Sequence, residues 1–179
     1  MTQQQIVSRD QLISGLRASE QQLVDALASI DAANLETGCY ENGWNARQVL
    51  AHVASIEWTY AKVLDLAKSG ETDDAVAAGG PSPQSSTSYN PPASGPILSY
   101  NDRQVEKRAE MSVAELLDEF RQNRARTLAA IESADDGLLA TPVQSAGGIK
   151  GPASNVLQAL AVGHVMLHLT DILHAVKQP

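Results

Sequence analysis

Trp44-Asn45-Ala46-Arg47-Gln48-Val49-Leu50-Ala51-His52-Val53 carries a full set of helix-start signals. Asn45 is an N-cap residue, and Gln48 three positions on completes a capping box. Trp44 before the cap and Val49 at the fourth position make a hydrophobic staple. From there Val49, Val53, Ile56, Tyr60, Val63 and Ala67 recur at helical spacing, and Ser69-Gly70 supplies the stop. This second helix sets the pattern for the rest of the chain. A first helix is predicted from about Arg9 to Ile30, with Leu12, Ile13, Leu16, Leu23, Leu27 and Ile30 on one stripe. A third opens with the box Ser112-x-x-Glu115 and continues through Val113, Leu116, Leu117, Phe120, Leu128 and Ile131. A fourth runs from about Pro152 or Ser154 to about Val176 and is apolar almost all round, so it is expected to be the most buried.

Each predicted helix has roughly 20 residues, about 30 Å of length. Four such amphipathic rods bury their faces best as an all-α four-helix bundle, with a long crossover between helices two and three. No alternating strand stands out. The crossover begins as a Gly/Pro/Ser/Thr-rich stretch, Gly79-Gly80-Pro81 through Pro91-Pro92, so a mobile loop is expected over about 70–97. A short helix then reads from Ile97 to Glu106. Residues 1–179 are expected to form one domain.

Composition narrows the function. The chain has 179 residues, 43% hydrophobic and 19% charged, which excludes a disordered segment. Lys and Arg total 13 against 21 Asp and Glu, a formal charge of -8, unlike a general nucleic-acid binder, whose affinity comes from basic contacts to phosphate. No run of eighteen apolar residues suggests a membrane span, and Met-Thr-Gln-Gln-Gln is not a signal-peptide start. The single cysteine, Cys39, excludes an internal disulfide. A cytoplasmic protein acting on a small molecule is the expectation, with neither nucleic acid nor membrane as partner.

The four histidines are placed unevenly. His52 shares the inward face of Val49 and Ile56 on helix two. His164 and His168 are four apart on helix four, on the face of Leu157, Leu160 and Ala161, whereas His174 is turned away. An i, i+4 histidine pair with a third ligand from a neighbouring helix is a way to hold a transition metal. Imidazole suits Zn²⁺, Ni²⁺, Fe²⁺ or Cu²⁺. A lone inward histidine is ordinarily a satisfied core residue, but burying three without a shared purpose is costly. Asp171, seven after His164, reads as an acceptor orienting a histidine ring or as a solvent-facing residue. Arg124 interrupts the inner stripe of helix three and reads either as a substrate-binding cation or as a side chain snorkelling to solvent.

Gly43-Trp44-Asn45-Ala46-Arg47-Gln48-Val49-Leu50-Ala51-His52 resembles the segment that opens helix two in the DinB/YfiT-like superfamily. Gly163-His164-Val165-Met166-Leu167-His168 is similar to that superfamily's C-terminal His-x-x-x-His helix, and Tyr100–Val105 followed by Met111–Leu117 resembles the approach to its third helix. The resemblance implies a DinB/YfiT-like four-helix bundle with a divalent metal between helices two and four, and carries His52, His164 and His168 over as the ligands. The mycothiol-dependent maleylpyruvate isomerase amino-terminal domain and the bacillithiol transferases are the enzymatic relatives it points to. In the isomerases the second ligand is a Glu, so His164 looks more like the bacillithiol branch or generic DinB proteins.

Two classes of function follow. One is an enzyme in which the metal (Zn²⁺ first, Ni²⁺ second) ionises a low-molecular-weight thiol cosubstrate for S-transfer or isomerisation, or activates water for hydrolysis. The other is a stress-response protein that binds a small molecule without catalysis. The all-round apolar fourth helix, Trp58 off the inner stripe and the habit of the superfamily lead to the expectation of a homodimer.

Overall fold

Reciprocal capping boxes start three of the long helices: Ser8 with Gln11, Asn45 with Gln48, and Ser112 with Glu115. In each, the cap side chain accepts from a backbone N–H that the helix leaves orphaned, and the third residue returns the bond. The structure is a computed structural model that describes residues 5–38, 43–70, 96–145 and 148–176. Cys39 and the expected mobile stretch after Gly70 lie outside the described residues, apart from its last two positions.

The helices are α1 (Arg9–Ala28), α2 (Ala46–Ile56), α3 (Lys62–Ser69), α4 (Pro96–Glu106), α5 (Val113–Ser133), α6 (Asp136–Ala140), α7 (Ala153–Leu157) and α8 (His164–Ala175). α1, the α2–α3 pair, α5 and the α7–α8 pair form the four-helix bundle, and α4 packs on α2. The core has two parts. Leu12, Leu16, Ile56, Ile131 and Leu157 fill one end, and Leu23, Val49, Leu50, Phe120, Val165 and Ile172 fill the other. Val49, Val53, Ile56, Tyr60, Val63 and Ala67 are all buried, as the helix-two stripe predicts.

Three features differ from the sequence reading. The expected single helix over 45–69 is broken by a 3₁₀ turn at Glu57–Thr59, before α3 ends at Gly70 in the left-handed region (φ 69°). The fourth helix passes from α7 to α8 through a π-helical segment, Gln158–Gly163. Between α6 and α7 lies a hairpin of β1 (Pro142–Gln144) and β2 (Lys150–Pro152), with Val143 opposite Gly151; strands of three residues are too short to show alternation.

Gly15 of α1 faces the π segment. A Cβ there would stand 3.3 Å from Gln158 Oε1 and 3.4 Å from Val162 Cγ2, so the missing side chain lets the two elements approach closely. Ala153–Ala175 is long and apolar enough to cross a membrane by length and composition, but half of it is buried inside this fold. Leu167 on its outer side is 49% exposed, so the helix is less completely covered than its apolarity predicts.

Candidate metal centre

α2 and α8 bring three imidazoles together in the core. His52, His164 and His168 are 2%, 7% and 6% exposed, and one ligand atom from each lies within 4.8 Å of the others. The rings meet edge to face, with centroids 5.4 Å apart for His52–His164, 5.2 Å for His52–His168 and 4.3 Å for His164–His168. Nε2 of His164 is 2.8 Å from Nε2 of His168. His174 is exposed, as its azimuth predicts.

The outer nitrogens of the pair on α8 have protein partners. Nδ1 of His164 is 3.1 Å from the Tyr60 hydroxyl, and Nδ1 of His168 is 3.6 Å from a carboxylate oxygen of Asp171. The two Nε2 atoms lie within hydrogen-bond distance of each other, and with Nδ1 of each ring facing these oxygens both could instead turn to an ion at the centre. Burial pushes the His52 imidazole well below its ordinary pKa, and the neighbouring His168 adds to that. Burial does the same to His164, helped by His168 and His52. Both are therefore neutral at neutral pH, the form that donates to a metal. Burial, and then the charge of Glu57, pushes the Tyr60 hydroxyl well above its ordinary value, so it remains a neutral phenol.

A divalent transition metal fits these residues. Nδ1 of His52 is buried without a hydrogen-bond partner, an orphan that needs an explanation in a native core. Two nitrogens each about 2.1 Å from one ion stand roughly 3.0–3.4 Å apart, so the 2.8 Å between His164 and His168 needs only a small ring movement to admit one. Three imidazoles suit a divalent transition metal better than a hard cation. Trp44 closes one side, its ring 5.3 Å from that of His52.

Arg124 does not take the place expected of it. Its side chain is fully buried, so it does not snorkel, and its fork is filled by protein acceptors rather than held open for a substrate. Nη1 donates to Leu16 O at 2.9 Å and Ser19 Oγ at 3.0 Å; Nη2 donates to Glu57 Oε2 at 2.9 Å and Ala161 O at 2.7 Å. Nε stands 2.6 Å from Glu57 Oε1. Burial pushes the Glu57 carboxyl up to about 7, although Arg124 pulls it down. A cation on an inner stripe needs a buried acid, and this partner was available in the sequence as Glu57, four after Val53. Tyr60 was equally within reach: it follows His52 and Ile56 on one stripe, and a buried phenol must find a partner.

With the fold and the triad in view, comparison with known proteins gives the family. Residues 16–173 match the mycothiol maleylpyruvate isomerase N-terminal domain, and the chain belongs to that family, within the DinB/YfiT-like superfamily. No curated protein matches. Among solved structures, the mycothiol-dependent maleylpyruvate isomerase is similar at 18% identity and a TM-score of 0.66, over 92% of this chain and 60% of that one. This chain thus spans about 60% of the isomerase's length. YfiT from Bacillus subtilis, described as a probable metal-dependent hydrolase with an unusual four-helix bundle topology, is similar at 18% identity and a TM-score of 0.68, over 98% of this chain and 89% of that one.

Proposed function

We propose that this chain is a metal-dependent enzyme using a low-molecular-weight thiol as cosubstrate in S-transfer or isomerisation. The observation that carries the reading is the convergence of three buried histidines, two of them held neutral by burial, from two helices of the bundle. His52, His164 and His168 would hold the ion through ring nitrogens. A divalent metal bound there would stabilise a thiolate, so that the cosubstrate sulfur is ionised at neutral pH. Tyr60 orients His164 and Asp171 orients His168, while Trp44 and the surrounding core keep bulk water from the inner side of the rings.

A panel of mycothiol, bacillithiol, glutathione and water against a chlorinated aromatic and a maleyl-type acid tests this. Turnover is expected only with metal and one of the thiols. Equal turnover without metal overturns the reading, and no turnover with any thiol or water points to a binding protein. Turnover with water alone favours a hydrolase, a second reading supported by the likeness to YfiT over nearly the whole of both chains. A cytoplasmic homodimer belongs to the same proposal. Leu167 and Trp58, 49% and 37% exposed, offer apolar surface to a second copy, and a mass near 19.0 kDa by light scattering would rule the dimer out.

A further inference from the structure

Both helices that carry the histidines are irregular, and one side chain touches both irregularities. α2 gives way to the 3₁₀ turn at Glu57–Thr59, and α7 joins α8 through the π segment Gln158–Gly163. The amide of His164 donates to Ala159 O, five residues back, which is the bond of a π turn. One extra residue in a helix turns everything after it by about 100°, so this turn sets the direction in which His164 and His168 point. It also breaks the one-to-one ladder of donors and carbonyls, and Arg124 Nη2 supplies a donor to Ala161 O inside it.

The same guanidinium holds the other irregular helix through Glu57, and its remaining nitrogen reaches α1 at Leu16 and Ser19. Thr127, one turn along α5, points its hydroxyl at the Glu57 carbonyl, 3.4 Å away. A fully buried ion pair is a poor source of stability, because well-packed apolar residues in its place are often as stable or more so. What apolar residues would not supply is a directed donor at Ala161 and a fixed partner at Glu57.

We propose that Arg124 and Glu57 are positioning residues of the metal centre. The shared guanidinium holds the π segment, and with it the azimuth of His164 and His168, against the turn that ends the His52 helix. This rests on the histidine triad being the metal site.

The test compares the full chain with Arg124→Lys, which keeps the charge but loses the fork, with Glu57→Gln, and with Ile131→Val as a core change away from the pair. Helical circular dichroism and melting establish that each is folded at the temperature used. Co²⁺ is then titrated into chelator-stripped protein, and amide exchange over 158–165 is followed in the metal-free state. The expected result is Co²⁺ affinity lower by roughly 10–100-fold in Arg124→Lys and Glu57→Gln, an altered Co²⁺ visible spectrum, and faster exchange over 158–165. Ile131→Val should keep the unaltered affinity and spectrum even when its melting temperature falls as far. A folded Arg124→Lys or Glu57→Gln protein with unchanged affinity, spectrum and exchange overturns the positioning role. If the unaltered chain takes up no Co²⁺, the triad reading fails and the role towards the metal falls with it, while the exchange data still show whether the pair holds the π segment.

Discussion

The Tyr60 hydroxyl and Nδ1 of His164 stand 3.1 Å apart, joining the turn that follows the His52 helix to the ring of a second histidine of the triad. With a metal on Nε2, Nδ1 would carry the proton and donate it to the phenol oxygen. Tyr60→Phe removes the acceptor without altering the packing volume much. Its metal affinity is expected to fall by roughly 10–100-fold with the bundle intact, measured by competition against a chelator of known affinity.

His52→Ala, His164→Ala and His168→Ala should each lose the metal, and His174→Ala should retain it. The three rings share the core, whereas His174 is exposed. Elemental analysis of the four purified variants decides this, and full metal content in His52→Ala would remove that residue from the set. All four should remain helical, since the core does not depend on an ion to close.

Arg124→Met should destabilise the fold by about 3–5 kcal/mol, because Glu57 is left in the core without its partner, either as an unpaired carboxylate or after taking up a proton, and the acceptors at Leu16 and Ala161 lose their donor. Combining it with Glu57→Leu should recover most of that loss, since neither charge then remains unpaired. Urea denaturation of the two variants is the measurement, and equal stability of single and double variant would show that the pair is not coupled.

The stability of the metal-free protein should fall on acidification below about pH 6.5. An unfolded chain takes up protons on His52 and His164 near that pH, while burial keeps both rings neutral in the fold to well below it. The unfolded state therefore binds more protons, and stability drops by up to ~1.4 kcal/mol per pH unit for each ring. Glu57 works the other way. Its carboxyl is pushed from 4.5 to about 7, so the fold keeps a proton that the unfolded chain loses, and stability declines as pH rises through that window. Two rings outweigh one carboxyl between about pH 5 and 6.5, and Glu57→Gln should steepen the dependence. A flat urea midpoint across that range would contradict the buried neutral rings.

The helices were legible because their starts are written locally. Asn45 with Gln48 and Ser112 with Glu115 need only three residues of context, and both boxes form. The histidines were legible for the same reason: i, i+4 spacing and a shared stripe require no knowledge of the partner helix. The breaks at Glu57–Thr59 and Gln158–Gly163 were not, because both lie against Arg124, a residue distant in sequence on a third helix. The role of Arg124 was half visible. Its place on an inner stripe showed that a cation was buried or nearly so, but the choice among a substrate, solvent and Glu57 depends on how three helices meet.

More than a hundred residues separate Tyr60 from His164, and the triad spans a similar stretch of chain. During synthesis His52 emerges long before its two companions on the last helix. A nascent chain halted anywhere before His168 therefore presents at most two of the three imidazoles. Any metal that the triad takes up would accordingly be bound late, by chains whose last helix has docked.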